Sequence, residues 1–245
     1  MKKNILILTL LSLFLIIPAN AEKISLKSVY SLHKKLRLDI GGGQSFLMAS
    51  TSSAFDYLSG LGVDKSVAGT YYDELKQGLV FDTRLHYMYS EKYGYGLIYQ
   101  MNNSNSAVPG FVEITDNSYN YIGEINENIF TNYVGLSFLM TEPIIRSERL
   151  SYKLEYSLGA VFYQNQSKFI VSKSEITGTS FAANISIGLQ YELTKKLSFG
   201  VRANTFASTL KKITIKYKPD EVGTSTDTKE TLTRFNWLAY LSFNL

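Results

Sequence analysis

Residues from Leu36 to the C-terminus alternate between apolar and polar side chains with a period of two. This is the spacing at which a β-strand turns successive side chains to opposite faces of a sheet. In the last segment the apolar set is Phe235, Trp237, Ala239, Leu241, Phe243 and Leu245. We count eight such segments, so the sequence predicts an all-β protein.

The connections between these segments alternate in length. Short connections lie at 90–92, 141–149 and 194–196, and longer ones rich in polar residues lie at 49–76, 102–128, 165–177 and 209–231. An up-and-down meander places alternate connections at opposite ends, and short turns at one end with long loops at the other are typical of membrane-spanning barrels. The predicted fold class is therefore all-β, an eight-stranded antiparallel up-and-down transmembrane β-barrel over residues 36–245.

The fourth predicted strand, at residues 129–140, is less regular than the others. Val134, Leu136 and Phe138 form its apolar face, but Asn132 falls on the same face. We expect a β-bulge at this point, or a strand that begins elsewhere.

The first 21 residues have the features of a secretory signal peptide. Lys2 and Lys3 precede an apolar run from Ile5 to Ile17, and Ala19 and Ala21 supply the small residues of a cleavage site. The run is shorter than the ~20 residues of a membrane-spanning helix. We expect cleavage after Ala21, followed by a short periplasmic segment at residues 22–35.

The composition excludes several kinds of chemistry. The chain has no cysteine, which rules out disulfides, thiol catalysis and thiolate zinc sites, and it has only 2 histidines. Its formal net charge of +4 falls to +2 without Lys2 and Lys3, which argues against a nucleic acid partner. No cofactor is expected.

Periodicity alone does not say which face of the barrel is outside. A secreted lipocalin-like carrier would turn its apolar face inward, whereas a membrane barrel would turn it to lipid. The polar face consists largely of Gly, Ser, Asn and Gln, with fewer charges than a water-facing surface carries. Aromatic residues cluster at both ends of the apolar strips: Tyr87, Tyr89, Tyr152, Tyr191, Phe199 and Phe243 at one end, and Phe46, Tyr99, Phe162, Phe181, Phe235 and Trp237 at the other. Two aromatic bands flanking an aliphatic one favour the membrane barrel.

The last strand adds a resemblance to a known group of proteins. Phe235, Trp237, Leu241, Phe243 and Leu245 form an amphipathic strand at the C-terminus, although the final residue is Leu where the group usually has Phe. In this respect the chain resembles the small eight-stranded outer-membrane barrels of Gram-negative bacteria, of the OmpX type and the OmpA transmembrane domain. The resemblance implies an outer-membrane location and recognition of this strand by the barrel-assembly machinery.

Charged residues on the polar face are the candidate site of the lumen. They are Arg37, Asp39, Asp82, Arg84, Lys153, Glu155 and Arg202. Opposite charges in a narrow barrel are expected to form a bridged network that fills it, because ions removed from water need partners. The alternative is that the network lines a gate or a narrow ion path.

Other motifs carry less chemistry. Neither His33 nor His86 is placed for acyl transfer at the outer rim, so we expect no enzyme. Gly41, Gly42 and Gly43 are expected to allow a close backbone approach in the barrel wall. The lysines of the last loop (Lys211, Lys212, Lys216 and Lys218) form a solvated stretch or contact lipopolysaccharide phosphates.

The predicted function is a structural, adhesive or loop-mediated binding role at the cell surface. The alternatives are a narrow, porin-like channel and, from another class, a soluble carrier of an apolar ligand. The expected partners are outer-membrane lipid and lipopolysaccharide, the barrel-assembly machinery and an unknown extracellular molecule, with the chain itself a monomer.

Overall fold

The described residues form a closed antiparallel barrel and a helix. The structure is a computed structural model that describes residues 36–48, 56, 58–60, 62–109, 112–116, 119–144, 149–218 and 222–245. The predicted signal peptide at 1–21, the segment at 22–35 and His33 lie outside these residues. Within them, no helix is long and apolar enough to cross a membrane.

The described residues include ten strands and a helix. The strands are β1 (Leu36–Leu47), β2 (Gln77–Met88), β3 (Tyr93–Ala107), β4 (Val112–Asp116), β5 (Tyr119–Pro143), β6 (Leu150–Ile170), β7 (Ser172–Thr194), β8 (Leu197–Lys218), β9 (Val222–Thr231) and β10 (Arg234–Asn244), and the helix is α1 (Lys65–Lys76). The ring runs β1-β2-β3-β5-β6-β7-β8-β10 and closes through the pairing of β10 with β1. The short β4 pairs with β5, and β9 pairs with β8. The predicted eight-stranded antiparallel barrel is confirmed.

The apolar strips face outward. Leu136 is 71% exposed and Ile187 60%, whereas Asp82, Arg84 and His86 on the opposite face are fully buried. Most of the aromatic residues at the two ends of the strips are also exposed, as Tyr191 and Trp237 illustrate, and the others are partly exposed. Among the described residues, the barrel is thus apolar outside and polar inside in the half that contains the short turns, which we call the inner half.

The fourth strand of the ring, β5, begins earlier than predicted. It starts at Tyr119 instead of residue 129, and its register with β3 and with β6 is continuous, so no bulge lies at Asn132. Asn132 does lie on the outer face, where its Oδ1 accepts a hydrogen bond of 2.9 Å from the Tyr99 hydroxyl. This partner on the neighbouring strand satisfies a polar group on an otherwise apolar strip.

Three of the four predicted long loops are largely strands. The stretch 165–177 belongs to β6 and β7, which meet at Ile170, a residue with a positive φ of 57°. The stretches 102–128 and 209–231 are mostly taken up by β3 to β5 and by β8 and β9. A strand needs only about 9–11 residues to cross a membrane. With 25 residues, β5 is much longer than a membrane crossing requires.

The first predicted loop, 49–76, contains the helix α1, which the sequence reading missed. Asp64 caps its N-terminus by accepting a 2.7 Å hydrogen bond from the Ser66 backbone N–H. Ala68, Tyr71 and Leu75 are buried on one side of the helix. Their spacing of three and four residues is the helical signal that this loop carried.

An apolar core fills the part of the barrel that lies away from the short turns, which we call the outer half. Ala68, Tyr71 and Leu75 of α1 belong to one cluster with inward side chains of the long strands: Ile125, Ile129, Val161, Tyr163, Ile170, Phe206, Leu210 and Ile213. The rings of Tyr133 and Phe206 stack with centroids 6.1 Å apart. Since the Tyr133 hydroxyl also lies 2.7 Å from the Ser157 hydroxyl, this pair marks the change from apolar core to polar lumen. Most residues of the cluster fall in stretches predicted as polar loops, so the apolar core of the outer half differs from the prediction.

The predicted close backbone approach occurs at the seam where β1 meets β10. Gly43 lies opposite Leu238, and a Cβ placed on Gly43 would lie 2.8 Å from the Leu238 Cα. Gly42 has more room, because its nearest neighbour would be the Val80 carbonyl oxygen at 3.6 Å. The seam therefore depends on Gly43 in particular.

Candidate functional site

The inner half of the lumen holds a first group of ion pairs around Arg84. Its guanidinium group lies 2.7 Å from the Asp82 carboxylate and also pairs with Glu155. The His86 Nε2 lies 2.8 Å from the other oxygen of Glu155. Strands β2 and β6 supply these residues, and all four side chains are buried.

A second group of ion pairs surrounds Asp39 on β1. The Lys153 ammonium lies 3.0 Å and the Arg202 guanidinium 3.4 Å from Asp39 Oδ2. Arg202 also lies 3.8 Å from Asp82, which links this group to the first one. The charges form one connected network across the lumen, and each ion has an opposite charge nearby, as removal from water requires.

Arg37 stands apart from the network, although the sequence placed it with the other six residues. Its Nε donates to Asn244 Oδ1 at 3.2 Å and its guanidinium donates to Thr141 Oγ1 at 3.3 Å, both at the short-turn end. The sequence neighbours Arg37 and Asp39 therefore take different partners. Lys153 likewise pairs with Asp39 and not with its neighbour Glu155.

Several lumen residues were missed by the sequence reading. The Tyr240 ring lies under Arg202, with 4.0 Å from the guanidinium carbon to the ring centroid, and Lys153 lies 4.8 Å from the same ring. Arg234 is buried and donates to Ser45 and Ser104 at 3.3 and 3.2 Å. Both Tyr240 and Arg234 lie on the inward face of β10, so the period of that strand was the signal that would have found them.

A further polar tier lies between Arg234 and the ion network. Asn236 donates to Asn204 at 2.7 Å, and Asn204 donates to Gln100 at 3.1 Å. These uncharged side chains span the lumen from β10 through β8 to β3. Together with the ion network they occupy the inner half with buried polar side chains.

Ser137, His86 and Glu155 lie together, but their geometry differs from that of a catalytic triad. A triad uses both ring nitrogens of the histidine, one for the nucleophile and one for the acid. Here Ser137 Oγ at 3.1 Å and Glu155 at 2.8 Å both contact Nε2. His86 is also fully buried, so a substrate would not reach it.

The C-terminal strand presents its predicted residues to the outside. Trp237, Leu241 and Leu245 are exposed, and Phe235 packs edge-on against Trp237 with ring centroids 5.3 Å apart. The Leu245 backbone N–H donates to the Leu36 carbonyl at 2.8 Å, so the last residue helps to close the ring.

Glu127 carries a half-buried carboxyl group on β5. It lies five residues from Asn132 towards the N-terminus of the strand, beyond the aromatic band that includes Phe162 and Phe181. Burial raises the pKa of Glu127, and a hydrogen bond of 3.2 Å from Asn165 Nδ2 lowers it in part. A group whose pKa is raised by folding stabilises the protein below its unfolded-state pKa and loses that effect as the pH rises through its folded-state pKa. Glu127→Gln is expected to remove this loss of stability and to slow proteolysis of the outer parts of the long strands at neutral pH.

Glu124 on the same strand provides the matched control. A hydrogen bond and ion pair with Lys168, at 2.7 Å, lower the pKa of Glu124. Its stabilising effect is therefore present above the unfolded-state pKa and is lost as the pH falls. The rate of proteolysis is measured from acidic to neutral pH in the parent protein and in both variants. Relative to the parent, the slope of this rate against pH should change in opposite directions in Glu127→Gln and in Glu124→Gln. Equal slopes in the parent and Glu127→Gln would contradict the assignment.

Comparison with known proteins supports the fold. No family model and no curated protein matches the sequence. Among solved structures, a major outer membrane protein from Thermus thermophilus is similar with a TM-score of 0.52 at 6% identity, over 86% of this chain and 99% of that one. Neisserial surface protein A is similar with a TM-score of 0.46 at 9% identity, over 86% of this chain and 97% of that one. The outer membrane protease OmpT of Escherichia coli is similar with a TM-score of 0.43 at 10% identity, over 88% of this chain and 98% of that one.

The likeness concerns the fold alone. At 6% identity, the superposition with the Thermus protein says nothing about activity or partners. It agrees with the closed ring of antiparallel strands seen in this chain. The predicted resemblance to small outer-membrane barrels thus holds at the level of the fold.

Proposed function

We propose that this chain is an outer-membrane barrel that conducts no ions and acts through the part that projects from the membrane. The observation that carries the proposal is that side chains occupy both halves of the lumen. The ion network around Arg84 and Asp39 lies in the inner half, and the apolar core around Tyr133 and Phe206 lies in the outer half. An eight-stranded barrel has an interior that side chains alone are able to fill. The role is then structural, adhesive or one of binding at the cell surface.

The outer surface supports the membrane location. Large apolar side chains such as Leu97, Val201 and Leu241 are exposed around the ring. A contiguous apolar surface of this extent is unfavourable in water and favourable in lipid. The exposed aromatic residues at both ends would lie at the two membrane interfaces. This arrangement is the reverse of a soluble carrier, which would keep its apolar face inside.

The long strands support a role outside the membrane. β5, β6, β7 and β8 have 25, 21, 23 and 22 residues, about twice the length needed to cross. Inward side chains of their outer parts belong to the same apolar cluster as those of α1. A folded surface of this kind suits recognition of an extracellular molecule better than catalysis, and we propose no enzymatic activity.

Two further partners belong to the proposal. The exposed apolar side chains at the C-terminal end of the chain, including Trp237 and Leu245, suit recognition by the barrel-assembly machinery before the ring closes. Anionic outer-leaflet lipid, lipopolysaccharide among it, is the second partner. The closed ring needs no second copy of the chain to satisfy its strands, so we propose a monomer.

Conductance tests the proposal against the channel alternative. The purified protein in a planar bilayer is expected to give no conductance steps, whereas a general porin in the same bilayer gives them. A variant in which a Gly-Ser linker replaces residues 62–76 should also remain closed, because the ion network still fills the inner half. Regular steps from the parent protein would contradict the proposal and favour a narrow channel. Recovery of the protein in a soluble fraction without detergent would contradict the membrane location.

A further inference from the structure

The ladder between β7 and β8 contains an irregularity at the outer end of the aromatic band. The pairing is interrupted between Gly178 and Ala182, and the ladder between β8 and β9 shifts between Leu210 and Lys212. Leu210 and Ile213 both point inward, since they are 0% and 9% exposed. Two residues lie between them instead of one, as a β-bulge produces.

The bulge changes the direction of two lysines. Regular alternation would place one of two adjacent residues inside the barrel. Because Leu210 and Ile213 occupy the inward positions, Lys211 and Lys212 are both exposed on the outer side. The ammonium groups of two neighbouring residues are thus presented on the same side of the wall.

Hydroxyl groups close the gap that the bulge leaves in the ladder. Ser180 Oγ donates to the Thr209 carbonyl at 2.7 Å, and Ser208 Oγ donates to the Phe181 carbonyl at 3.0 Å. These bonds replace missing backbone pairs, so the bulge is held in place from both strands. The position of the lysine pair is therefore built into the wall.

A cavity with a volume of about 610 Å³ lies beside the bulge. Its lining includes Asn132, Phe162, Gln164, Thr179, Lys212 and Thr214. Phe162 lies directly opposite Thr179 in the ladder between β6 and β7. Phe162 and Phe181 are 49% and 66% exposed on the outer surface. The cavity thus has hydroxyl, amide and ammonium groups next to exposed aromatic rings.

The positive charge of the pair is not neutralised within the described residues. Neither Lys211 nor Lys212 has a carboxylate within 4.0 Å there, although Asp227 is the ladder partner of Lys212. Lys168, by contrast, pairs with Glu124 at 2.7 Å. The Glu175 carboxylate accepts a hydrogen bond of 2.7 Å from Gln164, which is part of the cavity lining. Glu175 itself lies opposite Lys216 in the ladder between β7 and β8.

We infer that Lys211, Lys212 and the adjoining cavity bind the phosphate group of an anionic lipid in the outer leaflet. The two ammonium groups would face the phosphate, Thr179 and Gln164 would provide hydrogen bonds, and Phe162 and Phe181 would lie against the acyl chains below. Basic residues at a membrane surface attract anionic lipid in this way. The inference rests on the proposed membrane location.

Fluorescence quenching by brominated lipid tests the site. Trp237 is the only tryptophan, so the variant Trp237→Phe with Phe181→Trp places the single reporter beside the lysine pair. The full chain in vesicles should be quenched more strongly by brominated phosphatidic acid than by brominated phosphatidylcholine, with a preference of about fivefold for each lysine engaged. Lys211→Gln with Lys212→Gln should bring the preference close to one.

Lys195 and Lys196 provide the matched control, because they are an adjacent exposed pair in a short turn and do not line this cavity. Their double change to Gln should leave the preference intact, and a heat-dependent gel shift should show that every variant is folded. A preference that persists in Lys211→Gln with Lys212→Gln, or equal quenching by both lipids in the parent, would overturn the lipid site. Absence of quenching by either lipid would overturn the membrane location as well, so the two failures are distinguishable.

Discussion

Arg84→Leu is expected to lower the free energy of unfolding by about 3–5 kcal/mol, the usual cost of removing one partner from a buried ion pair. Arg84 is fully buried and contacts both Asp82 and Glu155. Without its positive charge, two carboxylates remain close together in the lumen with less compensation. Urea unfolding in lipid vesicles, followed by the heat-dependent gel shift, measures the change.

A compensated variant separates the charge effect from loss of packing. In Asp82→Asn with Arg84→Leu and Glu155→Gln the two uncompensated carboxylates are gone, so much of the lost stability should return. The exposed pair of Lys92 and Glu142, 3.0 Å apart at the short-turn end, is the control. Lys92→Ala should change stability little, because exposed ion pairs contribute little. An equal loss in the single and the compensated variant would contradict the ionic explanation.

Gly43→Ala is expected to prevent most of the protein from closing into a barrel. The added Cβ would overlap the Trp237 carbonyl oxygen and lie 2.8 Å from the Leu238 Cα. Both atoms belong to the backbone of β10, so no side-chain rotation relieves the overlap. The strands of the seam would have to separate, with loss of their ladder hydrogen bonds. The measurement is the fraction of heat-modifiable protein after refolding into vesicles.

The neighbouring Gly42→Ala is the control for the seam. Its added Cβ would find only the Val80 carbonyl oxygen at 3.6 Å, which is ordinary contact. It should fold nearly as well as the parent protein, although both substitutions make the same chemical change on the same strand. Equal folding yields for the two variants would show that the seam tolerates a wider spacing than the structure has.

The sequence predicts the ring and the direction of its faces well. The two-residue period depends on local backbone geometry, which is visible in residues such as Phe235, Trp237 and Leu241. The exposed apolar side chains and the buried Asp82 and Arg84 agree with the predicted direction. Which ions pair is not visible in the sequence, because the fold brings Lys153 to Asp39 over a separation of 114 residues.

The outer half was harder to predict because its pattern is reversed. In the inner half of β5, Leu136 and Phe138 are the exposed apolar residues, whereas in the outer half Ile125 and Ile129 are buried. The apolar set thus moves from even to odd numbers near Asn132, because the outer part turns its apolar side chains inward to the cluster that also contains α1. A continuous apolar strip ends at this change, so the two-residue period predicts a strand that begins only at residue 129 and a loop before it.

The unbroken ladder along β5 has a mechanical consequence. With 25 residues and a rise of about 3.3 Å per residue, β5 is about 80 Å long, or about 60 Å in height at the usual barrel tilt. The hydrocarbon layer is about 30 Å thick. About half of this height would stand above the lipid as a stalk without a hinge in the paired part of β5. A ligand bound near its end would be held at a set distance from the cell, and a pull on it would be transmitted directly to the barrel.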